Sequence, residues 1–403
     1  MQKEKLFSQD TAPLVVVTRG DDPYENVWNA LQRLHLPPLQ GKRILLKPNA
    51  GRMVAPRSGV TTHPLAVAAA IDFFRQFEPA EILLGESPIL GVKALDALEK
   101  AEMAEIARNK GVSLIDLDER PPFKLPVPQG KVLRSLRVCA LVREVDYLVS
   151  MPVMKTHMHT GVSLSIKNMK GTLWRREKVR LHQLEYPALP EGQGKALDVA
   201  IADMVEVLRP DLALIDGAIG LEGLGPSEGD PKKVGLVVAS QDCLAADSVA
   251  TCLMGFEPAS IPHLRMAAER GIGEIDLKKM HIVPEEYLDF RQPFAPPPKK
   301  ISIQYPNVVV HDCNSCSACL STTLLFLRRF LPQVPASLFQ DGKLIIGIGK
   351  DLQDPASGII LIGNCTARHK ERGIHIPGCP PVASSIFSRL QEEEKRDKKD
   401  KKD

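Results

Sequence analysis

Tyr147-Leu-Val-Ser-Met151-Pro-Val-Met-Lys155-Thr-His157-Met-His159-Thr-Gly161 opens as a short apolar run and closes in lysine and histidine. The run Tyr147 to Met151 reads as a buried strand, and Ser163 to Gly171, carrying Lys167, Asn168 and Lys170, reads as the helix after it. A strand end followed by a helix start is where free backbone N–H groups and nearby cations hold anions. The same grammar extends outward. Leu14 to Thr18, Ile44 to Lys47, Ile82 to Gly85, Leu212 to Asp216 and Val234 to Ser240 read as further strands. Glu25 to Leu34, Pro64 to Arg75, Ala94 to Lys110 and Ala196 to Leu208 show apolar residues at helical spacing. Such alternation predicts an α/β fold, a mainly parallel sheet with helices on both faces and ligands at the strand ends.

The composition fits an ordinary globular chain: 403 residues, 44% hydrophobic and 25% charged, with a formal charge of +3. The positive surplus is not gathered into aromatic-flanked blocks, so no nucleic-acid partner is expected. Met1 to Ala12 lacks the apolar core of a secretory signal, and no apolar stretch approaches membrane length, so a cytoplasmic protein with no membrane partner is expected. A break in composition falls at Gln292 to Lys300, where four prolines favour an extended spacer. The expected division is an α/β domain over 12–291, a smaller α+β cysteine-rich domain over 301–390 and a disordered charged tail over 391–403 that begins as a fraying helix end. In the smaller domain Val308 to Val310, Leu344 to Ile348 and Ile359 to Leu361 read as strands and Ser317 to Leu331 as a helix.

Five of the eight cysteines fall after residue 312. In a reducing compartment such crowding argues for metal or redox chemistry over disulfides. Cys313, Cys316 and Cys319 form a C-x-x-C-x-x-C run, a spacing used by cubane ferredoxins. Two more thiols sit in turn-like settings, Gly363-Asn364-Cys365 and Gly378-Cys379-Pro380-Pro381. Cys316, Cys319, Cys365 and Cys379 are the expected ligands, with Cys313 in reserve. One iron–sulfur cluster, 4Fe-4S, is the preferred cofactor because thiolates suit it by softness. Zinc in a four-thiolate site is the alternative. A third reading makes the cysteines small core residues, since Cys316 and Cys319 share a helical face with Leu320, Thr323 and Leu327.

In the large domain Lys155 and His157 are the candidate catalytic residues. Lys47, Asn49, Lys167, Asn168, Lys170 and Asp216 are the candidate substrate-binding residues, and a small anionic molecule is the expected ligand. A solvated basic face is the plainer reading of these charges. His157 and His159, two apart on a strand, share one face, which alone is weak evidence for a metal. Gly220 to Pro231 is glycine-rich but no dinucleotide fingerprint, because Pro226 and Pro231 interrupt it, and it reads as a lid or pocket wall. Asp242 reads as a helix N-cap.

Lys47-Pro48-Asn49, Met151 to His157, Lys167-Asn168-Met-Lys170-Gly171, Asp216-Gly217, Gly223-Leu-Gly225-Pro226 and Asp242 to Asp247, in this order, resemble the uncharacterised iron–sulfur-centre proteins of domain of unknown function 362. The likeness covers residues 12 to 275, and Cys313 to Pro381 looks like the cysteine-bearing extension of some members. Relatives with a two-cluster ferredoxin domain carry two complete four-cysteine runs, whereas this chain has one incomplete run. A single centre is therefore implied, and the family brings no agreed reaction. The expected function is a redox or cofactor-processing enzyme, an iron–sulfur oxidoreductase acting on a small anion. Its rivals are an electron carrier with a redox partner protein and a zinc-stapled hydrolase or ligand-binding protein.

Overall fold

The computed structural model describes residues 12–297, apart from 185, 188 and 191, and residues 305–400. The N-terminal stretch before residue 12, residues 298–300 of the proline-rich spacer and residues 401–403 of the charged tail lie outside the described residues. The chain divides into two compact units, Met1–Pro296 and Pro297–Asp403.

The strands of the first unit are β1 (Leu14–Arg19), β2 (Arg43–Pro48), β3 (Glu81–Glu86), β4 (Ser113–Asp116), β5 (Phe123–Pro126), β6 (Ser135–Val138), β7 (Tyr147–Met151), β8 (Val153–His157), β9 (Gly161–Ser163), β10 (Leu212–Glu222), β11 (Asp230–Ser240) and β12 (His281–Val283). The main sheet runs β12-β1-β11-β10-β7-β2-β3-β4, with β8 paired to β10 and β9. It is parallel except where β11 meets β1 and β10, and where β8 meets β9. Alternation along the strands divides the core in two. Leu45, Leu83, Leu148, Ile215 and Val238 face one helical layer, while Ile44, Leu46, Leu84, Val149, Leu214 and Val237 face the other. Strands buried on both faces must be apolar throughout, which is why these runs lack polar alternation.

Two sequence expectations change. Ala94 to Lys110 is two helices, Ala94–Lys100 and Met103–Asn109, separated where Glu102 takes φ +60°. Ala94, Ala97, Leu98, Ala104 and Ala107 are all buried and stay in phase across the break, so periodicity gave no warning of it. The glycine-rich stretch is the turn of a long β10–β11 hairpin, whose pairing extends to Glu222↔Asp230.

A buried ion pair joins the C-terminal ends of β2 and β3. Lys47 Nζ lies 2.8 Å from Glu86 Oε2, both side chains 1% exposed. Lys47 also donates to the Pro48 carbonyl at 2.7 Å and to Asn168 Oδ1 at 3.0 Å. Glu86 accepts from the Ala50 and Ser87 backbone, each at 2.9 Å.

The second unit contains β13 (Val308–Asp312), β14 (Leu344–Ile348), β15 (Ile359–Ile362) and β16 (Gly373–Ile376), parallel throughout and in sequential order. Helix Ser317–Phe330 buries Leu320, Leu324 and Phe326, and Phe330 stacks on Phe387 with centroids 4.8 Å apart. Helix Ala383–Asp400 runs into the charged stretch where a fraying helix end was expected, with Arg389 paired to Glu392 and Glu393 one turn on. Among the described residues no helix is long and apolar enough to cross a membrane.

Lys47→Met strands the Glu86 carboxylate and should cost about 3–5 kcal/mol in urea unfolding. The double variant Lys47→Met/Glu86→Gln removes both charges and should recover much of that loss. A double variant as unstable as the single one would assign the effect to packing rather than to the ion pair.

Candidate functional site

Pro152 separates β7 from β8 without letting the chain leave its neighbour. Leu212 and Ala213 of β10 pair with β7, and Asp216 and Leu221 pair with β8. The Pro152 carbonyl accepts from Asp216 N at 2.8 Å. The hairpin then fits closely over β8, because Thr156 Oγ1 donates to the Leu221 and Gly223 carbonyls at 3.2 and 3.0 Å. A Cβ at Gly225 would stand 1.9 Å from the Thr156 carbonyl oxygen, so only glycine fits there. Every residue of β8 is buried, Lys155 and His157 included.

Hydrogen bonds fix how these polar side chains present themselves. Lys155 Nζ donates to Asn49 Oδ1 and to the Val60 carbonyl, the latter at 2.9 Å. His157 Nδ1 accepts from His159 N at 3.1 Å, which places the proton of the neutral ring on Nε2. His159 Nδ1 lies 3.2 Å from Lys195 Nζ, and its buried Nε2 has no hydrogen-bond partner among the described residues. Lys170 Nζ lies 2.6 Å from His182 Nε2. Lys167 is nine-tenths buried, and no hydrogen bond to its ammonium is found among the described residues. Burial, and then the neighbouring cations, hold Lys155, Lys167, His157, His159 and His182 towards neutrality. Lys155 is lowered to about 7 by burial, Arg52 and Lys47, and Lys167 to about 7 by burial and Lys155. His157 falls well below its usual value and His159 to about 3, each chiefly through burial. When protonated, Lys155 and Lys167 attract an anion.

Other expected site residues are committed elsewhere. Lys47 is held in its ion pair, and Asn168 Nδ2 donates to the Lys47 carbonyl and Ser150 Oγ at 3.2 and 3.1 Å. Asp216 accepts from His63 N and Ala218 N at 2.6 and 2.9 Å, and burial pushes it up to about 6. The helix expected over Ser163 to Gly171 is a single turn, Ser165–Asn168, continued by a 3-10 turn. Asp247 closes its start by accepting from Ser165 N and Ile166 N at 2.7 and 2.9 Å. Burial pushes Asp247 up to about 8, but with both N–H groups taken that helix start is shut to an outside anion. The side chains of Lys155, His157 and Lys167, not backbone N–H groups, are the donors left at this end of the sheet. Asp242 is an N-cap, accepting from Leu244 N and Ala245 N. Sequence reading missed Arg52, His182 and Lys195. Arg52, five residues beyond Lys47 in the loop after β2, was the visible signal, whereas His182 and Lys195 lie in a segment without clear periodicity. An open cleft of about 420 Å³ at the ends of β3 and β4, walled by Ile89, Leu90, Leu95, Asp116 and Arg175, includes none of these cations.

In the second unit Cys316, Cys319, Cys365 and Cys379, from three chain segments, lie close enough for their charges to act on one another. Cys316 caps helix Ser317–Phe330 with its sulfur, 3.5 Å from Cys319 N. A Cβ at Gly363 would stand 3.1 Å from Cys319 Sγ and 3.6 Å from Cys365 Sγ, so the bare backbone there leaves a cradle between two sulfurs. Asn364 N donates to the Gly378 carbonyl at 2.9 Å, and Gly378 N returns a bond to Asn364 Oδ1 at 2.7 Å, pinning the Cys365 and Cys379 loops together. Cys319 is raised by its hydrogen bond with Cys316, by burial and by the charges of Cys316, Cys365 and Cys379. Cys313 stands apart, packed on Leu352, Ile359 and Leu361. Among the described residues no group of three or more His, Cys, Asp or Glu side chains is arranged to hold a single metal ion. The soft donor set and the glycine cradle fit a wider inorganic core.

Comparison with known proteins places this geometry in a family. Residues 44–252 match the Domain of unknown function (DUF362). The thylakoid-associated protein sll1697 of Synechocystis sp. is 28% identical over 238 residues, 58% of this chain and 68% of that protein. The lactate racemase apoprotein from Thermoanaerobacterium thermosaccharolyticum aligns at a TM-score of 0.41 and 11% identity, over 61% of this chain and 57% of that one. A Thermotoga maritima protein aligns at 0.35 and 13%, over 63% and 60%. Both solved structures are thus spanned for less than two thirds of their length. Because the family match runs through more than half of the chain, taking in β2, Lys155, His157, Lys167 and the β10–β11 hairpin, this protein belongs to the DUF362 family.

Proposed function

We propose that the protein is an iron–sulfur redox or cofactor-processing enzyme acting on a small anion. One 4Fe-4S cluster would be held by Cys316, Cys319, Cys365 and Cys379. The observation that carries the reading is the convergence of these four thiols, from loops 49 and 63 residues distant along the chain, beside the uncovered backbone of Gly363. When bound, such a cluster supplies one-electron chemistry or a Lewis-acidic iron.

The chain's own residues do the rest in the larger unit. Lys155 and Lys167 neutralise the substrate's charge in a recess that excludes water, where each ion contact counts for more than at the surface. His157 offers an Nε2–H donor and is the group that moves a proton. Lys47, Glu86 and Asn168 act as positioning residues, because they fix the strand ends from which Lys155 and Asn49 project.

Anaerobic purification should give a coloured protein with iron and acid-labile sulfide in equal amounts. Cys316→Ser, Cys319→Ser, Cys365→Ser and Cys379→Ser should each lose most of the iron, whereas Cys313→Ser should retain it. A colourless protein with one zinc per chain would replace the cluster by a structural metal, and loss of iron in Cys313→Ser would overturn the ligand assignment.

Anion binding should also report the two lysines. A bound anion restores their ordinary affinity for protons. Below about pH 7 both are already protonated and affinity is flat. Above it each must take up a proton on binding, so affinity falls by up to about tenfold per pH unit per lysine. Calorimetry with inorganic phosphate in buffers of differing ionisation enthalpy measures that uptake directly, and a pH-independent affinity would refute it.

A further inference from the structure

β4 is the last strand on one side of the main sheet, and its outer edge is open. Leu117 N donates to the Glu86 carbonyl at 3.1 Å, so Ser113 and Ile115 turn their backbone groups to β3 while Leu114 and Asp116 turn theirs outward. No partner is found among the described residues for the outward N–H groups of Leu114 and Asp116 or for the Leu114 carbonyl. Such a row of unmet groups is a template for another strand.

A cleft lies on each face of this edge. The cleft of about 420 Å³ takes in Leu114, and a second of about 190 Å³ takes in Ile115 and Leu117. Alternate residues of an added strand would enter opposite clefts, which is how strand addition fills its pockets. Native sheets protect an open edge by keeping it short and charged, and β4 has four residues and ends in Asp116. Protection does not account for the wall of the larger cleft, where Ile89, Leu90 and Leu95 are 40%, 40% and 49% exposed. Apolar side chains gathered at the surface beside a free edge mark a contact surface.

Charge indicates what covers it. Asp116, Glu119, Lys93 and Arg175 line the larger cleft, and none of them forms an ion pair among the described residues. A purely acidic or purely basic peptide would match half of this set and oppose the other half. A second copy of this chain brings the same two acids and two cations, and so matches all of it.

We propose that β4 pairs antiparallel with β4 of a second copy across a two-fold axis, joining the two main sheets into one. Leu114 of each copy stands opposite Asp116 of the other, and the two exchange backbone N–H···O bonds. The Asp116 carbonyl, which accepts from Glu119 N at 3.2 Å, keeps a second lone pair for this bond. Ile115 meets its own counterpart at the axis, in the kind of pair where side chains approach most closely. Leu90 and Leu95 of each copy close over Leu114 of the other. A contact of this symmetry closes on itself, so association stops at the dimer.

Sedimentation and light scattering of the full-length, metal-loaded protein over about 1–100 μM should give a mass of about 89 kDa, twice 44.3 kDa. Leu114→Pro removes an outward N–H, a change that an edge strand tolerates, and should weaken association at least about tenfold. Leu95→Asp sets a carboxylate in the first turn of helix Ala94–Lys100, where it suits the helix, and should weaken association as much. Hydrogen exchange at the Leu114 amide should slow with rising protein concentration, and Leu95→Asp should abolish that dependence. A monomer throughout the range overturns the proposal, and a Leu114 amide protected at every concentration would then assign the edge to another segment of this chain. A dimer that survives either variant with an unchanged melting temperature, or one whose Leu114 amide exchanges as fast as in the monomer, overturns it as well. Should Leu114→Pro fail to fold, Leu95→Asp and the exchange measurement decide.

Discussion

An ammonium buried at the end of a sheet survives only if its charge and its hydrogens are met, and Lys47 satisfies both requirements. Its carboxylate partner comes from β3, its amide partner from the turn at Ser165–Asn168 and its carbonyl partner from its own strand end. Asn168 reaches on to Ser150 of β7. Three neighbouring strands and a helical turn are thereby registered at their C-terminal ends through one closed set of bonds. A partly satisfied network in such a place would destabilise the fold, while a complete one rigidifies it. The edge from which the recess is built is held by this set.

Lys47 and Lys155 show two ways of burying an ammonium within one charge-rich region. Both are buried, but Lys47 has a carboxylate at 2.8 Å, whereas Lys155 has only neutral oxygens and faces Arg52. The first arrangement is complete within the protein. The second leaves positive charge for something else to neutralise. Asp216 and Asp247 belong with Lys47, because their carboxyl oxygens are occupied by backbone N–H groups.

Much of the fold could be read in the sequence because strands buried on both faces leave uninterrupted apolar runs. Tyr147–Met151 and Pro64–Arg75 keep the expected bounds. What escaped was whatever depends on partners remote along the chain. Glu102 breaks a helix whose apolar phase continues across it. Gly220 to Asp230 looks like a loop because its glycines are required by β8, which lies more than sixty residues earlier. Lys155, Lys47 and Asn168 all sit in distinctive motifs, but Lys47 and Asn168 turn inward. Sequence shows that a charge is unusual and says nothing about which atom it meets. The cysteines separate by the same logic, since Cys313 shares the ligand spacing yet points at Leu352 and Ile359.

The contact between Gly225 and the Thr156 carbonyl reaches beyond local packing. Lys155 is covalently adjacent to Thr156, so the hairpin tip and the recess share one stretch of backbone. Sequence drift at the tip is therefore restrained by the Thr156 carbonyl on β8. An insertion there would be felt as a displaced ammonium long before it was felt as a loss of fold. A change in this turn can therefore shift the Lys155 ammonium while every polar side chain around it stays the same.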